Sequence, residues 1–148
     1  MKTLTERIVD TLRDQRISYE VAGAAASRRV EERWTRIWPY NSFDQMKKYA
    51  AAEKPWFRWH PFGLGLLPAL RGPAAMAAYQ ESPLAPFFIF DDDMVFCAKC
   101  HGDHFPDLSV VKEDLYVVEG CLRWTMAFSH DQPKRGPYFA RNLSDIVE

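Results

Sequence analysis

The chain is short of nearly everything that marks a specialised class. Its 19 Lys and Arg almost balance 20 Asp and Glu, for a net charge of −1. No single-sign field therefore points to nucleic acid or to an anionic membrane surface. Basic residues are scattered, with Arg28-Arg29 and Lys47-Lys48 as short clusters, whereas phosphate-dominated binding needs a concentrated basic face. No apolar run approaches a membrane span, and Met1 to Arg7 is followed by no apolar stretch of signal type. The expectation is a cytoplasmic protein with neither nucleic acid nor membrane as partner. Three Cys form no framework pattern and fit reduced thiols. Glycine is sparse, at seven, and builds no linker, repeat or low-complexity tract, so residues 1–148 read as one domain. A G-x-S-x-G nucleophile motif is also missing, and the serines fall in turns or helix caps.

Aromatics are the residues in good supply: five Trp, six Tyr and ten Phe. Such side chains build cores from few large pieces, and they also anchor interfaces. Residues 1–55 read as helical. Thr3-x-x-Glu6 is a capping-box pattern, followed by Leu4, Ile8 and Leu12 on one helical face. Tyr19 to Gly23 reads as a break. A second helix is expected over Ala24 to Ile37, burying Val30, Trp34 and Ile37 and ending before Pro39. A third starts at Asn41-Ser42 and carries Phe43, Met46 and Tyr49.

Residues 56–148 carry the sheet. Trp56 to Phe62 is too aromatic for a loose linker and is expected to pack as a short strand or a lid. Gly72-Pro73 opens a short helix through Tyr79, since Pro at the first helical position loses no needed bond. Phe87 to Phe90 and Met94 to Phe96 read as strands flanking the triplet Asp91-Asp92-Asp93. A helical turn is expected from Asp107 to about Glu113. Leu115 to Val118 and Cys121 to Ser129, turning at Glu119-Gly120, make the clearest hairpin. Its second strand puts Leu122, Trp124, Met126, Phe128 and His130 on one face, with Arg123, Thr125, Ala127 and Ser129 on the other. The fold class is α+β, a helical N-terminal half packed on a small, mainly antiparallel sheet.

Three groups of residues could carry chemistry. Cys97-x-x-Cys100-His101 copies the attachment motif of a c-type haem. Such attachment implies export and a helical setting, and neither is indicated. With His104, the same cluster offers four zinc ligand types, cramped into eight residues. Asp91, Asp92 and Asp93 could contact a basic partner, bind a cation or act in acid–base chemistry. His130 beside Asp131 could be a general base oriented by a carboxylate, in a cleft floored by Trp124 and Tyr138.

Taken in order, Trp59-His-Pro-Phe62, Leu70-Arg-Gly72, Ala74 to Tyr79 and Phe88-Ile-Phe90 with Asp92-Asp93 form a series of small motifs. Asp114-Leu-Tyr-Val-Val118, Trp124-Thr125, Ser129-His130-Asp131 and Gly136-Pro-Tyr-Phe139 extend it. Over residues 59–139 the chain resembles the bacterial family known as domain of unknown function 4275. The family pattern has His-Glu where this chain has His130-Asp131, and it lacks the Cys97 to His104 cluster. The resemblance implies a small, stand-alone cytoplasmic protein without a cofactor, similar by analogy to immunity proteins. The leading expectation is a binding protein that occludes a bacterial toxin, with Asp91, Asp92, Asp93, His130, Asp131 and Tyr138 facing that protein partner. A small hydrolase or transferase using His130 with a neighbouring carboxylate is the alternative. A zinc module through Cys97, Cys100, His101 and His104 is the third reading.

Overall fold

The structure, a computed structural model, describes residues 1–38, 57–63, 65 and 67–142. The helix expected from Asn41 lies outside the described residues. The first helix, α1, spans Leu4–Asp14, and Thr3 closes the capping box foreseen with Glu6. Ile8 and Leu12 are its fully buried residues. The second, α2, spans Ala24–Ile37 and buries Val30 and Trp34. Further along, α3 spans Gly72–Glu81, with Pro in its first turn and Ala75 and Tyr79 buried.

Among the described residues, seven strands form one antiparallel sheet: β1 Ser18–Val21, β2 Leu70–Arg71, β3 Phe87–Asp91, β4 Cys97–His101, β5 Leu115–Glu119, β6 Trp124–Phe128 and β7 Tyr138–Arg141. Their order is β1-β4-β3-β5-β6-β7-β2. The architecture is α+β, as the sequence pattern implied. Three short strands were missed, β1, β2 and β7. The expected break at Tyr19 to Gly23 holds β1, which pairs with β4 from Ser18↔His101 to Val21↔Ala98. At the opposite edge β2 pairs with β7 through Leu70↔Phe139 and Arg71↔Tyr138.

Strand alternation sorts the core onto two faces. Ile8, Leu12, Ala75, Tyr79, Phe87, Ile89, Ala98, Leu115, Val117, Trp124, Met126 and Phe128 belong to one cluster, under α1 and α3. Val30, Trp34, Trp59, Phe62, Phe90, Cys97, Tyr116, Val118, Ala127 and Tyr138 belong to the other, under α2. Both faces of β5 and β6 are buried throughout. The β6 face that carries Thr125 and Ala127 is therefore inside as well: Thr125 is buried and accepts a hydrogen bond from Trp34 Nε1 at 2.8 Å.

Several boundaries move for local reasons. Met94 to Phe96 is the turn, and the next strand begins at Cys97. The hairpin turn is longer than Glu119-Gly120, because Leu122 adopts a left-handed φ of 61° and leaves the strand's phase. Leu122 consequently joins the α2-side cluster and parts from Trp124. Gly120 is required there, since a Cβ would sit 2.9 Å from the Pro86 carbonyl oxygen. The turn after Asp107 is a 3-10 helix over Ser109–Val111.

Candidate functional site at one end of the sheet

The C-terminal end of β3, the start of β5 and the end of β6 lie side by side, since Asp91 pairs with Leu115 and Leu115 with Phe128. Three connections meet there: the turn after Asp91, the residues before Leu115, and the loop after Phe128. The segment Phe57 to Gly63 lies against them. Trp59, His60 and Phe62 in it are buried, and it turns helically over His60–Gly63.

Asp114 is the hub. Its Oδ1 accepts hydrogen bonds from Trp59 Nε1 at 2.8 Å and from the His130 backbone N–H at 3.0 Å. Its two carboxylate oxygens also lie 2.9 and 3.0 Å from His130 Nδ1. The carboxylate is only 10% exposed and the imidazole 39%. The hydrogen bond with Asp114 raises the His130 pKa, against the opposing effect of burial, and the charges of Asp114, Asp131 and Glu113 add to the rise. The imidazole Nε2 lies 3.4 Å from Asp131 Oδ1.

Asp92 is the second anchor. Its Oδ1 accepts from Tyr116 OH at 2.5 Å and from the Arg58 backbone N–H at 2.8 Å. Arg58 Nε donates to the Asp92 carbonyl at 2.7 Å, and its guanidinium pairs with Glu31 of α2 at 2.5 Å. The Asp92 N–H in turn donates to the Asp114 carbonyl at 3.1 Å. Burial pushes the Asp92 carboxyl upward, and the bonds from Tyr116 and Arg58 only partly oppose it. Rings line the region: Trp59 stacks on Phe57 at 5.7 Å and on Tyr138 at 5.8 Å, and His130 lies 5.1 Å from Phe57.

The aspartate triplet is thus not one exposed patch. Asp91 is 3% exposed. Its carboxylate is spent on its own turn, accepting the Phe96 N–H at 2.7 Å and the Asp93 N–H at 3.2 Å. Asp92 is half-buried and bonded as described, and Asp93 alone is fully exposed. Beside it, Val95 stands 69% exposed.

His130 is not in phase with the face of Phe128. The strand stops at Phe128, and the following turn carries the ring to Trp59 on the α2 side. Trp124 remains on the opposite face, against Tyr79 and Phe105, so it floors no cleft near His130. Tyr138 is buried in the ring stack. The carboxylate that orients His130 is Asp114, and Asp131 is the weaker neighbour.

The thiol cluster is a strand. Cys97 and Cys100 are three residues apart on β4, so their side chains enter opposite cores. One ion or one haem cannot take both. Burial raises the Cys97 thiol and pushes Cys100 up to about 12, which keeps both protonated. His104 pairs with Asp103 at 2.7 Å. Among the described residues, no group of three or more His, Cys, Asp or Glu could hold a metal ion. No helix among them is long and apolar enough to cross a membrane.

Sequence reasoning gave no role to Asp114, Arg58, Trp59 or Tyr116. Asp114 and Tyr116 lie in one quoted motif and Trp59 opens another, but only tertiary structure joins them. A family model described as domain of unknown function (DUF4275) matches residues 7–139. The match begins within α1, so it takes in the helical part that the motif series from residue 59 left out. Neither the curated proteins nor the solved structures contain a match.

Proposed function

This chain belongs to the DUF4275 family, and for this member we propose a binding function: a cytoplasmic, immunity-type protein that neutralises a bacterial toxin by occluding it. The observation that carries the reading is where the reactive groups spend their bonds. Asp91, Asp92 and Asp114 each take two or more hydrogen bonds from the protein itself. The Ser129 hydroxyl donates to the Arg135 carbonyl. A scaffold so internally committed is stiff, and it holds Asp93, Val95, His130 and Asp131 outward at one sheet end. Preorganised surfaces lose little entropy on binding. An apolar tip flanked by carboxylates suits a basic cleft, with electrostatic steering of the encounter. An interface of roughly 1,200–2,000 Å² is expected, with no nucleic acid and no membrane involved.

The test is coexpression with the product of the adjoining reading frame, which this reading expects to be a toxin. Growth should be restored, and the purified pair should associate at a rate that falls with salt. Replacing Asp93→Lys together with Asp131→Lys should slow association about tenfold. Undiminished killing, with no complex formed, would sink the reading.

A small hydrolase or transferase is favoured by one observation only. Asp114 fixes Nδ1 of His130 and leaves Nε2 of the part-exposed ring beside Asp131, the arrangement of a general base with its orienting acid. With an ester or phosphoester substrate in hand, His130→Ala should abolish turnover and Asp114→Asn lower it. Equal rates in the wild type and His130→Ala would remove this alternative.

A further inference from the structure

His130 is held between two carboxylates that come from different parts of the chain. Asp114, just before β5, binds the ring at Nδ1 and the backbone N–H of the same residue. Asp131, on the loop after β6, faces Nε2 at 3.4 Å, which is longer than an ordinary hydrogen bond. Glu113 adds a third negative charge from the Asp114 side, and Asp92 stands behind Asp114. From the segment Phe57 to Gly63 the ring meets Phe57 and Trp59, while His60 packs on those two rings. Of the two cations on this loop, Lys134 and Arg135, it is Arg135 that reaches the group, through Asp131 at 3.7 Å.

The two ring nitrogens therefore have different duties. The Nδ1–H can donate to Asp114 whether the imidazole is neutral or charged, so the ring stays in place in both forms. Nε2 changes character. Protonated, it attracts Asp131 as an ion pair and draws that residue in. Neutral, it presents a lone pair to a carboxylate, and the contact becomes repulsive.

We propose that His130 is a proton-operated latch on the loop of residues 129–137. The latch is closed on Asp131 when the imidazole is charged, and it releases Asp131 when the imidazole is neutral. The sign follows from the surroundings. Three carboxylates favour the charged ring, so the closed form persists below the histidine's raised pKa and opens as pH rises through it. Opening leaves Asp131 to Arg135 alone and removes one positive charge at the surface assigned above to the partner. Resting on that binding function, the consequence is that a basic partner binds more tightly at the higher pH, by about three- to tenfold.

The free protein decides the latch. Nuclear magnetic resonance should show the His130 imidazole titrating with a midpoint above ~6.5, the ordinary value. The amides of residues 131–135 should shift with that same midpoint. In Asp131→Asn the His130 midpoint should fall, and those amides should cease to follow it. Loop amides indifferent to the His130 titration, or unchanged in their response in Asp131→Asn, would overturn the proposal. The coupling to binding is read separately, as toxin Kd against pH. It should tighten in the wild type and stay flat in His130→Gln, and a flat wild-type profile would disprove the coupling. A chain that binds no toxin at any pH would remove the binding function, while the loop titration would still decide the latch.

Discussion

The two faces of the sheet are filled by different kinds of side chain. Under α1 and α3 the core is nearly all hydrocarbon, with Ile8, Leu12, Ile89, Leu115, Val117, Met126 and Phe128 at its centre. Its notable polar tip is Tyr79 OH, which donates to the Pro106 carbonyl. Under α2 the large residues carry handles: Trp34 Nε1 reaches Thr125, Trp59 Nε1 reaches Asp114 and Tyr116 OH reaches Asp92. Burial of apolar area stabilises the first face without direction. The second face is directional, and its aromatics position carboxylates at the sheet end. One face holds the fold, and the other aims the site.

The largest effect should come from the hydrocarbon face. Phe128→Ala removes a fully buried ring from a closely packed site, at about 3–5 kcal/mol in denaturant unfolding. A loss below ~1 kcal/mol would mean that this face is loosely packed, and the contrast would fail. Next comes Asp114→Ala, which strands the donors of Trp59 and His130, at roughly 2–3 kcal/mol. This change also carries a pH signature. His130 is raised in the fold, so its contribution is present below ~6.5 and is lost as pH rises through the folded value. Asp114→Ala should flatten that slope. Trp34→Phe keeps the ring but leaves Thr125 Oγ1 without its buried donor, at about 1–2 kcal/mol.

Asp92→Asn should do least. Its carboxyl is raised by burial, so the charged form at neutral pH is a cost, partly offset by Tyr116 and Arg58. The amide keeps an acceptor oxygen and removes the charge. Stability should change by no more than about 1 kcal/mol in either direction. A large loss would show that the charge itself, through Arg58, holds this end together.

Local signals made much of the fold readable. A capping box and a 3.6-residue stripe announce α1 and α2, and dense apolar runs announce β3, β5 and β6. Signals that depend on a neighbour were unreadable. Ser18–Val21 is short and largely exposed, and it becomes a strand only because β4 lies beside it. β4 itself looked like a ligand loop because Cys97, Cys100 and His101 suggest metal chemistry. Its true pattern is one thiol into each core. The site was legible as residue types at strand ends, with His130 and Asp92 among them. Asp114 was invisible as its hub because a lone acid before a strand has no local signature. Its role is fixed by three segments that only the folded sheet brings together.

Strand order has a consequence for synthesis. The sheet's centre is β3, β5 and β6, whereas its two edge strands, β1 and β2, come from the earlier part of the chain. β1 emerges from the ribosome long before β4, at residues 97–101, exists to pair with it. β2 likewise waits for β7, at residues 138–141. Helices α1 and α2 must hold their apolar stripes without a sheet until most of the chain has been made. The edge strands therefore cannot pair until late in synthesis, and nascent chains stalled before β5 should depend on chaperones.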